Sequence, residues 1–115
     1  MEANDDGARS RLTAERRSCR RRIDALSDAF HAIVAAAADV ATDDEHDPEG
    51  HTIAWERQQL ASLLDEARTA LADVERAIAR LDAGTHGRCV TCGAPIGSDR
   101  LDALPATTTC VVCAR

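Results

Sequence analysis

The chain has 115 residues, about the size of one domain, and Phe30 and Trp55 are its only Phe, Trp or Tyr residues. A formal net charge of −6, with 14 basic residues that are all arginine, disfavours direct binding to a nucleic-acid backbone. No apolar run approaches the roughly 20 residues that span a bilayer, and the polar N-terminus has no signal-peptide core, so we expect a small helical protein in the cytoplasm.

The first predicted helix carries a heptad pattern. Residues 1–9 are polar, and we expect them to be disordered. From Leu12 onward, apolar or small residues recur at alternating steps of three and four, with one interruption at Arg16. This pattern predicts a helix with one buried seam at Leu12, Cys19, Ile23, Leu26, Phe30, Ile33, Ala37 and Val40.

The connector over residues 42–51 is strongly acidic. Pro48 and Gly50 interrupt the helical pattern there. Asp47 before Pro48 is typical of an N-cap followed by proline at the first helical position, so the second helix is expected to begin there. The sequence therefore predicts a negatively charged tip that binds a partner through Asp43, Asp44, Glu45, Asp47 and Glu49.

The second predicted helix repeats the heptad rhythm with one interruption, at Arg57. Its seam positions are Ile53, Leu60, Leu64, Ala67, Leu71, Val74, Ile78 and Leu81. Each seam spans 28 residues, which favours a mainly α fold: an antiparallel two-helix coiled-coil hairpin over residues 10–83, with Gly84 as a helix stop. The alternative, a compact bundle, needs a third apolar helix that the sequence does not contain.

Some helical residues have two interpretations. Trp55 lies off the seam, where it either packs at the flank or is partly exposed near the tip. Cys19 lies on the seam, which favours a small buried hydrophobe over a reactive thiol. The arginines of the first helix form either a solvated face with ion pairs to the returning helix or a docking patch for an acidic protein; they are Arg9, Arg11, Arg16, Arg17, Arg20, Arg21 and Arg22.

Two Cys-x2-Cys pairs lie near the C-terminus. They are Cys89/Cys92 and Cys110/Cys113, and 17 residues separate them. This spacing is typical of a four-cysteine zinc site, and Gly93 permits the tight turn after the first pair. Because four sulfur ligands leave no open position for water or substrate, we predict one structural Zn²⁺ in a module over residues 84–115, and no enzyme.

A redox dithiol and an iron–sulfur cluster are competing interpretations of these cysteines. A redox pair would follow a strand at the start of a helix, whereas both pairs here lie among prolines and glycines. His86 lies close to the ligands, but four cysteines already complete the shell, so we interpret it as a packing or supporting residue.

Residues 84–114 closely resemble the zinc-finger signature of the DksA/TraR family of bacterial transcription regulators. The similarity is carried by His-Gly-Arg-Cys-Val-Thr-Cys-Gly-Ala-Pro-Ile-Gly at 86–97, Arg-Leu-Asp-Ala-Leu-Pro-Ala at 100–106, and Cys-Val-Val-Cys at 110–113. His86 stands where the family usually has an aromatic residue. The chain also resembles the short members of the family, which lack longer terminal extensions.

This resemblance implies a mode of action. In the family, a coiled-coil hairpin enters the secondary channel of bacterial RNA polymerase without contacting DNA, and the acidic tip approaches the active centre. The family's tip motif is Asp-x-x-Asp-x-Ala at the start of the second helix. Aligned on the Asp-Pro dipeptide, Asp47 matches its first Asp, while Gly50 and Thr52 replace the other two residues.

The leading hypothesis is therefore a monomeric, zinc-stabilised regulator that binds RNA polymerase. One alternative is an adaptor that uses the same hairpin and finger to bind another protein. A second is a redox-linked switch whose thiolates release zinc on oxidation. An enzyme has least support, because the sequence contains no paired nucleophile and base, no open metal site and no phosphate-binding glycine loop.

Overall fold

The computed structural model describes the backbone of residues 2–40 and 48–114, and the side chains of residues 6–38 and 51–114. Its helices are α1 (Glu2–Val40), α2 (Pro48–Ala83) and α3 (Ser98–Ala103). The described residues contain no β-strand, and an isolated antiparallel bridge joins Arg88 to Pro95. The fold is thus mainly α, with two long helices in contact followed by a four-cysteine module, which confirms the predicted fold class. Within the described ranges, no helix has the length and hydropathy of a membrane span.

Helix α1 begins earlier than the sequence pattern indicated. It starts at Glu2, eight residues before the start of the predicted hairpin at residue 10. Ala8, four residues before Leu12, is buried and extends the apolar seam by one more turn. The Arg9 guanidinium also lies 2.5 Å from the carboxylate of Asp82 near the end of α2. A buried alanine and an ion pair to the returning helix explain why the first turns are helical.

The chain divides into two compact units, and one of them is residues Cys19–Thr69. Its seam positions with described side chains are all buried or half-buried, as the heptad pattern predicted. Cys19, Leu64 and Ala67 are the buried ones. The other seam residues keep some exposure because two helices alone leave one side of the seam open to solvent. Trp55 is 62% exposed, in agreement with the second interpretation of this residue.

The acidic tip lies outside the described residues. This applies to Asp43, Asp44, Glu45 and Asp47, and to the side chain of Glu49. The side chain of Val40, the last seam position of α1, also lies outside the described set. Helix α2 begins at Pro48, as the Asp-Pro signal predicted.

The other unit comprises Met1–Ser18 and Ala70–Arg115, so the finger shares one compact unit with the ends of both long helices. Leu12 and Ala77 are completely buried in this unit, and Val74 and Leu81 nearly so. Ala77 is not a seam position, but it lies on the same side of α2 as Val74 and Leu81, so the buried stripe of α2 is wider here than the seam.

Polar contacts tie the finger to the helix ends. The Arg11 guanidinium lies 2.9 Å from the carboxylate of Asp102 in the finger. The Arg80 guanidinium donates a hydrogen bond of 3.2 Å to the carbonyl oxygen of Thr107. Arg9 thus follows the interpretation of the arginine cluster as forming ion pairs with the returning helix, whereas Arg11 pairs with the finger instead. A finger of about 30 residues has too small an apolar core to fold alone. These contacts attach it to the ends of the two long helices, whose side chains form a larger core.

Candidate metal centre

The first cysteine pair lies in a tight loop that follows the end of α2. Gly84, at φ 79°, ends the helix, and its N–H donates to the carbonyl oxygen of Leu81 over 3.1 Å. Two backbone hydrogen bonds of 2.8 Å close the loop, from Ile96 to Gly87 and from Cys89 to Ala94. Gly84 and these backbone hydrogen bonds therefore fix the path of the chain from the end of α2 around the first cysteine pair.

Each cysteine pair forms a similar knuckle of backbone. In the first, the Gly93 N–H donates to the carbonyl oxygen of Cys89 over 2.9 Å, with Gly93 at φ 75°. In the second, the Ala114 N–H donates to the carbonyl oxygen of Cys110 over 3.0 Å. Both turns bring the two sulfurs of a pair to the same side of the backbone.

Hydrogen bonds to the backbone of residues 108 and 109 hold the two knuckles together. The Val90 N–H donates to the carbonyl oxygen of Thr108 over 2.9 Å, which joins the first knuckle to the segment before the second. The Arg100 Nε, on α3, donates to the carbonyl oxygen of Thr109 over 2.9 Å. Sequence reasoning assigned no role to Arg100 or Arg80, because a lone arginine that binds a backbone carbonyl has no recognisable spacing.

His86 is buried within the finger. Its Nε2 donates to the carbonyl oxygen of Pro105 over 2.9 Å. This hydrogen bond connects the start of the finger to the loop that follows α3. The ring is thus a packing residue that holds two finger segments together, as its position in the sequence suggested.

The four cysteine sulfurs form one cluster. All the Sγ atoms of Cys89, Cys92, Cys110 and Cys113 lie within 4.8 Å of one another, and those of Cys92 and Cys110 are 3.8 Å apart. A tetrahedral zinc with Zn–S bonds of about 2.3 Å places its sulfurs about 3.8 Å apart. The donor set and its dimensions therefore fit one Zn²⁺ with no open coordination position. The structure confirms the predicted cofactor, a single structural zinc.

The electrostatics of the cluster favour a bound cation. The backbone N–H groups of Cys110 and Cys92 lower the pKa of Cys89 to about 6. The neighbouring sulfurs of Cys110, Cys92 and Cys89 raise the pKa of Cys113 to about 12. Four sulfurs this close cannot all ionise unless a positive charge lies among them. Zinc supplies that charge and displaces the remaining protons as it binds.

Gly93 provides a test of how the knuckle backbone supports the metal. A Cβ at this position meets no atom within 4 Å, so Gly93→Ala introduces no clash and only forces alanine into the left-handed region. That conformation costs an L-residue about 1–2 kcal/mol, so zinc affinity should fall by about 5- to 30-fold. Competition with a chromophoric chelator measures it.

The matched control is Gly87→Ala. Gly87 also has open space at its Cβ position, but its φ is not positive. Its substitution should leave zinc affinity within about twofold of wild type. Equal losses in the two variants would mean that the backbone conformation of Gly93 is not what supports the site.

Comparison with known proteins agrees with this geometry. Residues 84–115 match the family described as the prokaryotic dksA/traR C4-type zinc finger. The whole fold is similar to a solved structure of transcription factor DksA2 from Pseudomonas aeruginosa, with a TM-score of 0.83 and 25% sequence identity. The similarity covers 98% of this chain and 81% of the DksA2 chain. No curated protein sequence matches the chain.

The family match is confined to the finger, whereas the structural similarity covers nearly the whole chain. The finger match includes all four clustered cysteines, and the structural similarity extends through both long helices. The protein is thus similar to transcription factors in its zinc finger and in its helical hairpin. From the zinc centre and the fold together, the finger of this chain matches the dksA/traR C4-type zinc-finger family, and the chain is similar in fold to transcription factor DksA2.

Proposed function

We propose that the protein is a bacterial transcription regulator that binds RNA polymerase through its secondary channel and does not bind DNA directly. The observation that carries this proposal is the similarity to transcription factor DksA2, which extends over 98% of the chain. The protein would act in the cytoplasm as a monomer and by binding alone, without turnover of a substrate.

The proposal assigns roles to two sets of residues. The zinc ligands would be Cys89, Cys92, Cys110 and Cys113, whose sulfurs have the dimensions of a tetrahedral site. The contacts near the polymerase active centre would come from the carboxylates of the connector, which are Asp43, Asp44, Glu45, Asp47 and Glu49. Carboxylates suit this role because they interact with a bound Mg²⁺ ion or with basic loops.

Co-purification with core RNA polymerase tests the proposal. The wild-type chain should bind, and the double variant Asp44→Ala/Asp47→Ala should bind more weakly or lose its effect on open promoter complexes. The physical reason is the loss of two charges from the predicted tip. Binding is measured by retention of the chain on immobilised polymerase, and open-complex lifetime by filter binding.

The matched control is Asp65→Ala/Glu66→Ala, which removes the same charge from exposed positions of α2. It should behave as wild type in both measurements. If wild type does not bind polymerase, the proposed function is wrong, and a pull-down dominated by another protein would favour the adaptor hypothesis. Equal behaviour of the two double variants would contradict the role of the tip.

A further inference from the structure

An open apolar groove lies between α1 and α2 in the unit of residues 19–69. Ala29, Ala32 and Ile33 line it from α1, and Trp55 and Leu60 line it from α2. Its volume is about 640 Å³, enough for one or two large apolar side chains. The groove exists because the α1 wall has the small side chains of Ala29 and Ala32, next to the large ring of Trp55.

Trp55 is unusual among the large apolar residues of the two long helices. Its side chain is 62% exposed, whereas the seam residues around it are half-buried. Exposed tryptophan beside a pocket is the residue type most enriched among those that dominate binding energy at protein interfaces. No packing requirement of the hairpin explains this ring, because Trp55 is off the seam.

The charge around the groove limits what can occupy it. Among residues 23–56, the charged residues with described side chains are Asp24, Asp28 and Glu56, and there is no lysine or arginine in this range, although Arg57 follows directly. Asp24 and Asp28 are exposed on α1 before the groove, and Glu56 lies on its edge. A partner must therefore bring apolar side chains for the groove and positive charges for its surroundings. An acidic segment or a nucleic acid would be repelled.

We infer that this groove is a docking site for a basic amphipathic helix of a partner protein, with Trp55 as its apolar anchor. A helix fits the space between two helices because its side chains project into the groove in rows three and four residues apart. Its lysines or arginines would lie near Asp24, Asp28 and Glu56. The inference rests on the proposed function in one respect, namely that the partner helix would belong to RNA polymerase.

Trp55 is the chain's only tryptophan, so its fluorescence reports directly on the groove. The probe is a synthetic amphipathic helix of leucine and lysine without aromatic residues, titrated into the full zinc-loaded chain. We expect a blue shift of the Trp55 emission as the ring leaves water, and weaker binding at high salt. The same helix with glutamate in place of lysine should produce no shift.

Two alanine-to-arginine substitutions distinguish peptide binding in the groove from binding elsewhere on the surface. Ala32→Arg places a large cation inside the groove and should weaken binding of the lysine peptide at least tenfold. Ala38→Arg adds the same charge at an exposed position of α1 that does not line the groove, and should leave binding within about twofold of the wild type. Absence of a shift in the wild type, or equal loss in both variants, would overturn the inference.

A second arm measures retention on immobilised core RNA polymerase. Trp55→Ala should reduce affinity by about 30-fold, the size expected for an anchor residue, while Val112→Ala, at a 75% exposed valine of the finger, should not. Wild-type binding that is unaffected by Trp55→Ala overturns the groove inference and leaves the proposed function standing. Absence of polymerase binding together with a Trp55 shift by the lysine peptide rejects the proposed function and supports the groove.

Discussion

Cys89→Ser is expected to reduce the zinc content of the purified protein from about one ion per chain to near zero. The Cys89 sulfur is the buried member of the cluster, and serine is a much poorer zinc ligand than a thiolate. Structural zinc contributes about 10–16 kcal/mol of binding energy in small finger peptides, so its loss should unfold the finger. Elemental analysis measures the zinc, and amide hydrogen exchange measures the folding of residues 84–114.

The effect of losing zinc should extend beyond the finger. Because the finger shares a compact unit with residues 1–18 and 70–83, the amides around Leu12 and Ala77 should also exchange faster. The helices within residues 19–69 form their own compact unit and should remain protected. This pattern differs from the expectation for a finger that folds independently, which would leave the exchange of both helices unchanged.

Cys19→Ser is the matched control, since Cys19 is the one cysteine outside the cluster. It should retain one zinc per chain, with a modest loss of stability because Cys19 is buried. Normal zinc content in Cys89→Ser, or loss of zinc in Cys19→Ser, would contradict the assignment of the metal centre.

Leu12→Ala is expected to cause the largest loss of stability among single core substitutions that leave the metal ligands intact. Leu12 is the largest completely buried side chain in the described part of the protein. Removing a buried leucine to alanine costs about 2–5 kcal/mol, through lost burial and the cavity that remains. Urea denaturation of the zinc-loaded protein, followed by far-ultraviolet circular dichroism, measures the change in free energy of unfolding.

Leu104→Ala provides the control with the same chemical change. Leu104 is 50% exposed, so its truncation leaves no enclosed cavity and should cost about 1 kcal/mol or less. Comparable losses in the two variants would mean that Leu12 does not lie in a packed core.

The heptad seams and the metal ligands were both predictable from local patterns. Every seam position with a described side chain is buried or half-buried, because a repeat of three and four residues places those side chains on one face of a helix whatever covers it. The cysteine spacing was informative for a similar reason. Two thiolates with two residues between them converge only in a tight turn, and Gly93 is the residue that permits such a turn after the first pair.

The first turns of α1 and the burial of Ala77 were not predictable in this way. Ala8 is a small residue in a polar segment, and its burial depends on the returning helix and on the pairing of Arg9 with Asp82. Ala77 flanks the seam and is buried because the covered stripe of α2 is wider than the seam in the unit that contains the finger. Alanine favours a helix equally in a core and on a surface, so its identity does not reveal which one it occupies.

Periodicity and ligand spacing, which act over a few residues, were thus sufficient to specify two antiparallel helices and a four-sulfur zinc site. The association of the finger with both helix ends, the hydrogen bonds of Arg80 and Arg100 to backbone carbonyls, and the open groove beside Trp55 depend on residues far apart in the chain. Such contacts depend on how whole helices and loops pack against one another. The pattern of residues along the chain does not indicate which distant surfaces will be in contact.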